Sequence, residues 1–252
     1  MVARLLLCGM LVGVLAGFVA FSFSHLFGEG QIEQAIALEV GASGSHDHGA
    51  HDHGTHDHDA TESASPSEPI SRQTQAGIGL LTGLVVFGAA LGGVFSMVFV
   101  GLYGRFGPSK PIHLAMTIAL CGFLTLFMIP NLKYPANPPG TSLADTIGER
   151  TFLYFGMIAI CAIALIIACL VARAAAKHGA LMATLAGTGC YAVSVLVAWV
   201  SFPSIHEIPQ GFPEDLLMQF RLASIGLHAV IWATLGVAFG ILASRYLKPS
   251  GA

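Results

Sequence analysis

Six histidines fall within thirteen residues, from His46 to His58, in the run HDHGAHDHGTHDH. Each of three successive pentads places an aspartate between two histidines: His46-Asp47-His48, His51-Asp52-His53 and His56-Asp57-His58. Neutral imidazole is a ligand for Co2+, Ni2+, Zn2+ and Cu2+, and an adjacent carboxylate adds charge. Gly49 and Gly54 separate the pentads, and Gly41, Gly44, Ser45, Ser63, Ser65, Pro66 and Ser67 flank them. That composition describes a disordered tether with several weak, exchanging metal sites, because nothing in it builds a rigid tetrahedral cage. The plain alternative is a solvated linker with no part in translocation.

A few other side chains carry candidate chemistry. His25, Glu29 and Glu33 are spaced four apart, which puts them on one face of a helix if the helix continues. Gly28 and Gly30 weaken that helix. His206 and Glu207 form a second pair, near Glu214 and Asp215, while Asp145 and Glu149 precede Arg150. Acidic loops gathered at one mouth attract divalent cations. Arg150 and Arg221 read equally well as interfacial anchors paired to local acids. His228 is the one clearly ionisable side chain set within a long apolar run, and such a residue is a functional candidate by default. The plain reading is a neutral histidine bonded across helices. Met97, Met116, Met128 and Met157 read as packing residues, and His113 and His178 as headgroup-level residues. No Walker A pattern, no HExxH and no Ser/His/Asp constellation is present, so an enzyme is not expected.

The elements that must position these residues follow from composition. The 252 residues are 54% hydrophobic and only 10% charged, with a mean hydropathy of +0.73. Soluble domains carry about 25% charged residues, so this is an integral membrane protein. A net charge of -3 gives no nucleic-acid footprint. The five cysteines lie in apolar runs without a CxxC, so no disulfide framework is expected.

About 20 apolar residues cross a bilayer as a helix. Six runs qualify: 5–27, 76–103, 112–132, 152–172, 181–202 and 222–246. The first is too long for a signal-peptide core and lacks a following A-x-A site, so it is expected to remain as a span. The fold class is therefore all-α, with three out-and-back hairpins joined by short inner loops. The expected divisions are a first span at 1–27, a His-rich extracytoplasmic loop at 28–75 and a five-helix bundle at 76–248. Placing Arg4, Arg105, Lys110, Arg173, Lys177, Arg245 and Lys248 inside leaves Arg72, Lys133, Arg150 and Arg221 outside. Seven against four favours cytoplasmic termini and a periplasmic ribbon. Counted from the expected start of the last span, His228 sits ~10 Å below the outer boundary.

Two outer loops resemble each other. IPNLKYPANPPGTSLADTIGER and FPSIHEIPQGFPEDLLMQFR each open on a span-ending proline, turn through Pro and Gly, and end on an arginine. Within the spans, Gly9, Gly13 and Gly17, Gly79 and Gly83, Gly88 and Gly92, and Gly236 and Gly240 form small-xxx-small stripes for close helix packing.

The HDHG repeats, the loops NLKYPANPPG and PSIHEIPQGFPEDL, and the closing RLASIGLHAVIWATLGVAFGILASRY together resemble the CbtA family of cobalt transporter subunits. The resemblance covers nearly the whole chain. It implies a bacterial inner-membrane protein that acts with CbtB, a small single-span subunit with its own histidines. The family is described with five spans, where this chain reads as six. The expected function is a subunit for divalent-cation uptake, cobalt favoured over Ni2+ or Zn2+. The alternative is a membrane-anchored metal-binding module that hands metal to a separate permease. The lipid bilayer is the evident surrounding, nucleic acid is not a partner, and homo-oligomerisation stays open.

Overall fold

A computed structural model describes residues 2–44, 74–105, 110–139, 141, 144–205, 207–209 and 211–247. Among the described residues every regular element is a helix. Helix α1 spans Val2–Phe27, α2 Glu29–Gly44 and α3 Gln75–Leu102. Helix α4 spans Pro111–Lys133, α5 Ala144–Ala175, α6 Ala180–Ser201 and α7 Glu214–Tyr246. All except α2 are long and apolar enough to cross a membrane, so the chain is a multi-pass membrane protein with six spans. Among the described residues six helices qualify, as the sequence leads one to expect.

Two boundaries depart from expectation. The segment after α1 is helical as α2, where a loop was expected from residue 28 onward. Glu29 in its first turn suits the helix dipole, and Gln31, Glu33, Gln34, Ala35, Ala37 and Leu38 are good helix formers. Ala35 is buried, and α2 packs against α1 and α7. The ribbon from His46 to His58 lies outside the described residues. Helix α7 starts at Glu214, well before the expected 222, because Glu214 and Asp215 occupy its first turn behind Pro213. His228 therefore stands fourteen residues into α7, ~21 Å along its axis and near mid-span.

Residues 133–139, residues 202–205 and Glu207 gather at one end of the bundle, here the long-loop end. The other end carries residues 103–105, Lys110 and the short connection at 176–179.

Glycine sets the tightest crossing. A Cβ on Gly13 would run into the Gly88 carbonyl, one on Gly9 into the Gly92 carbonyl, and one on Gly17 into the Leu84 carbonyl. The reverse collisions, Gly88 on Gly13 and Gly92 on Gly9, make the contact reciprocal and antiparallel. Gly236 and Gly240 similarly seat α7 on Ala119, Ala115 and Ile112 of α4. Gly83 faces open space and Gly79 meets only its own helix at Thr74. Those two glycines do not pack against a neighbouring helix, because the apposed stretch of α3 begins near Leu84.

Helices α1, α3, α4 and α7 share one core around Phe95, Phe99, Leu114, Ile231, Trp232 and Phe239. Phe239 sits edge-on to both Phe95 and Phe99. Helices α5 and α6 form a hairpin that joins this body through α4, around Tyr134, Met157, Cys161 and Ala198. Helix α6 is peripheral: only 6% of its apolar window is buried, against 39% for α1.

Helix α4 widens to a π-helix over Phe123–Met128, where the Ile129 N–H reaches back to Leu124 O. Pro130 explains this local change. It lacks the N–H that would close an α-turn onto Leu126, and a π turn absorbs the mismatch. The widened turn is a crossroads. Thr125 shares a 2.8 Å hydrogen bond with Tyr191 of α6, and Phe127 stacks on His228 of α7.

Candidate functional site at the long-loop end

The two similar loops interlock. The Tyr134 hydroxyl donates to Pro203 O at 2.7 Å. Lys133 Nζ donates to Trp199 O at 3.0 Å and to Ser204 Oγ at 3.2 Å. It also lies 5.6 Å from the Trp199 ring centroid. A cation on the last carbonyls of α6 complements that helix end. Asn131 Oδ1 accepts from the Ala136 N–H, and the Thr141 hydroxyl donates to Pro138 O, so the intervening turn is braced from within. Burial raises the Tyr134 phenol above its ordinary value near 10, and the Glu149 carboxylate adds to the shift.

Glu207 stands at the centre. Its side chain is 1% exposed, and Oε2 lies 3.4 Å from Arg150 Nε and accepts from Asn137 Nδ2 at 3.3 Å. Arg150 also donates through Nη2 to Pro135 O. Arg221 donates to Ala136 O at 3.4 Å and to Asn137 Oδ1 at 3.3 Å. Asn137 thus bridges the Glu207 carboxylate and the Arg221 guanidinium, and α4, α5, α7 and the 202–213 loop meet there. Glu207 Oε1 is buried and has no hydrogen-bond partner among the described residues. A bare buried carboxylate oxygen is costly, and such a group calls for an explanation.

The other expected site residues are spread out. His25 is exposed and stacks on Phe21, whereas Glu29 is buried and Glu33 is exposed. Gly28 forms a turn between α1 and α2, closed by its N–H on Ser24 O at 2.7 Å. Glu149, Glu214 and Asp215 are exposed at the same end. His206 lies outside the described residues, as does the side chain of Asp145. His228 is half-buried, with its ring centroid 3.7 Å from that of Phe127 and the planes 18° apart. His113 and His178 are exposed near the short-loop end. Among the described residues, no group of three or more His, Cys, Asp or Glu converges in a way that could hold a metal ion.

Residues 2–244 match the family model described as probable cobalt transporter subunit, CbtA. The chain belongs to the CbtA family. No curated protein and no solved structure matches it. As a CbtA-family chain it is a transporter subunit, which implies a partner. A cavity of about 280 Å³ lies between α4 and the α5–α6 hairpin, reaching from Tyr191 and Thr125 toward Ala172 and Ala183. Its lining is largely apolar, apart from the Thr125–Tyr191 hydroxyl pair, Thr184, Thr188 and the thiols of Cys121 and Cys169. Such a lining suits hydrocarbon better than a hydrated divalent cation. The acidic side chains Glu149, Glu207, Glu214 and Asp215 of this CbtA-family subunit instead lie at the long-loop end, with Lys133, Arg150 and Arg221. Sequence reasoning singled out Glu207 and Arg150 but not Asn137, Tyr134 or Lys133. The shared Pro/Gly form of the two loops was the available signal, since matching loops on parallel hairpins end up side by side.

Proposed function

We propose that this chain is the membrane subunit through which a divalent cation, cobalt foremost, enters a bacterial cell across the inner membrane. The long-loop end faces the periplasm and both termini face the cytoplasm, a placement supported by the seven-to-four bias of basic residues. The ribbon of His46, His48, His51, His53, His56 and His58, with Asp47, Asp52 and Asp57, captures metal and raises its local concentration. His25, Glu29, His206 and Glu207 receive it at the bundle mouth, and His228 marks the way inward. Ni2+ and Zn2+ are secondary cargoes by the same ligand chemistry. A small single-span subunit of the CbtB type completes the transporter.

One observation carries this reading. Helix α2, which precedes the ribbon in sequence, packs against α7, and α7 reaches the buried Glu207 carboxylate through Arg221 and Asn137. The test is Co2+ accumulation in liposomes holding the chain together with the small subunit. Removing residues 45–60 should weaken uptake at low Co2+ and spare it at high Co2+. His228→Ala should abolish it at both. A second reading, an anchored module that hands metal to a separate permease, is favoured by the ion pair that already occupies one oxygen of Glu207. Tight metal binding to the ribbon with no accumulation under any condition would select it.

A further inference from the structure

Helix α4 serves two neighbours in turn. Its first half, Pro111–Gly122, packs on α7 and α3, and the α5–α6 hairpin meets it mainly from Phe123 onward. The cavity of about 280 Å³ is the cleft left between the hairpin and α4. On α6 its lining runs from Tyr191 to Ala183, three residues from the start of that helix. On α4 the lining stops at Cys121, ten residues from the start of that one. The cleft therefore has an α4 wall only at its deep end. From Ala183 to Tyr191 it is ~12 Å long at 1.5 Å per residue, which for this volume leaves a bore ~5 Å wide. A helix is 10–12 Å across, so the cleft holds about two residues of one. A single hydrocarbon chain fits. The hydroxyls of Thr125 and Tyr191 already bond to each other at 2.8 Å, and Thr184 donates to Ala180 O at 3.0 Å. These groups do not call for a polar occupant.

The α5 wall of the cleft leads to positive charge. Leu165 and Cys169 line it one turn apart, and Arg173 and Lys177 continue the same i, i+4 row beyond it. Both bases are exposed at the short-loop end, next to Ala172 at the rim. No aspartate or glutamate lies between Glu68 and Asp145, or between Glu149 and Glu207. Helices α4 and α6 and the adjoining half of α5 thus bring bases to this end and no acid.

We propose that the cleft holds one acyl chain of an anionic phospholipid, with the lipid phosphate at Arg173 and Lys177. The chain enters at the rim between Ala172 and Ala183 and ends below the Thr125–Tyr191 pair. Long basic side chains near a helix end reach headgroup level while their stems lie on apolar surface. Basic pockets between spanning helices are sites for acidic headgroups. A zwitterionic headgroup carries its own cation to the same two bases and so binds less well. Helix α6 is the least buried span, and the lipid chain supplies packing on the half of the hairpin that α4 does not reach.

The test is native mass spectrometry of the full chain, delipidated in detergent and titrated with phosphatidylglycerol or phosphatidylcholine of equal chain length. Each base near an acidic headgroup is worth about fivefold in affinity. The wild type should therefore retain one phosphatidylglycerol at roughly twentyfold lower concentration than phosphatidylcholine. R173Q/K177Q should bring the two lipids within about twofold. Thr188 lies exposed on the cleft wall, and Thr188→Phe should fill the bore and abolish retention of both lipids. Thr184→Phe, one turn nearer the rim, should do the same, and elution at the wild-type position in size-exclusion chromatography checks each fold. A readout without substitution comes from Cys169, which is exposed and lines the cleft. Phosphatidylglycerol at ten times its Kd should slow its labelling by N-ethylmaleimide about tenfold, read on the Cys169 peptide. Equal retention of the two lipids by the wild type, or labelling of Cys169 at an unchanged rate, overturns the site. Phosphatidylglycerol retained unchanged by T188F and T184F also overturns it, leaving only a basic surface that attracts acidic lipid. If T188F keeps its lipid but no longer co-purifies with the small partner subunit, the cleft seats a helix and the acyl-chain reading is wrong.

Discussion

Removing either partner of the Arg150–Glu207 pair should not cost the same. Breaking a buried ion pair by deleting one partner costs ~3–5 kcal/mol, because the other charge is left buried. The Glu207 side chain is 1% exposed, so Arg150→Gln strands its carboxylate with Asn137 as the remaining contact. Asn137 at 3.3 Å softens the loss, which places R150Q at the lower end, ~3 kcal/mol. Arg150 is 22% exposed and keeps the Pro135 carbonyl, so Glu207→Gln leaves a charge with a route to water. That variant should cost only ~1 kcal/mol, the worth of an ordinary hydrogen bond. In R150Q/E207Q no charge is stranded, and the double variant should lie near E207Q, leaving a coupling of ~3 kcal/mol. For a chain of this size 1 kcal/mol moves the melting point by ~2–4 °C. R150Q should therefore melt ~6–12 °C below the wild type, and the other two ~2–4 °C below it. Thermal unfolding in detergent, followed by the fluorescence of Trp199 and Trp232, reads all four proteins. Equal single effects that sum in the double variant would refute the buried-carboxylate reasoning.

The crossing of α1 on α3 should tolerate nothing larger than glycine. Gly13→Leu should prevent recovery of monodisperse protein, whereas Gly83→Leu, facing open space, should stay within ~0.5 kcal/mol of wild type. Tyr134→Phe removes the bond to Pro203 and should cost ~1 kcal/mol near neutral pH. The Tyr134 phenol is raised in the folded chain, so its contribution is complete below its ordinary value near 10 and fades as pH climbs through the folded value. Melting against pH should therefore show an alkaline decline in the wild type that is reduced in Y134F. Deleting residues 45–60 should remove several weak sites in a calorimetric Co2+ titration, and an unchanged stoichiometry would exclude the ribbon as a metal reservoir.

The six spans were legible because each apolar run is long enough to cross a bilayer and the few charges fall between runs. The glycine stripes were only half legible. Spacing puts Gly79, Gly83, Gly88 and Gly92 into small-xxx-small pairs, but only the apposed helix decides which of them meets a neighbour, and α1 covers α3 from Leu84 onward. Helix α2 was hidden by Gly28 and Gly30 and by its modest hydropathy. His25 and Glu29, spaced four apart, differ in burial, the first exposed and the second buried, which spacing alone does not decide. Arg150 was legible as an arginine paired to an acid. Its partner, however, is Glu207, 57 residues away, and not a neighbour in sequence. Interlocking loops of that kind depend on how α4, α5 and α7 end relative to one another, which no local pattern encodes. The π segment of α4 had one local cue in Pro130, but a proline fixes neither the type of distortion nor the side chains it presents. That Phe127 would stack on His228 follows from the packing of α4 on α7.

The most direct test of the account is Co2+ accumulation by liposomes that carry this chain with its small partner subunit, compared between wild type and His228→Ala. The account predicts time-dependent uptake that saturates with Co2+ and is lost in H228A while ribbon binding persists. No accumulation by the wild-type pair, with metal bound only at the ribbon, would contradict it.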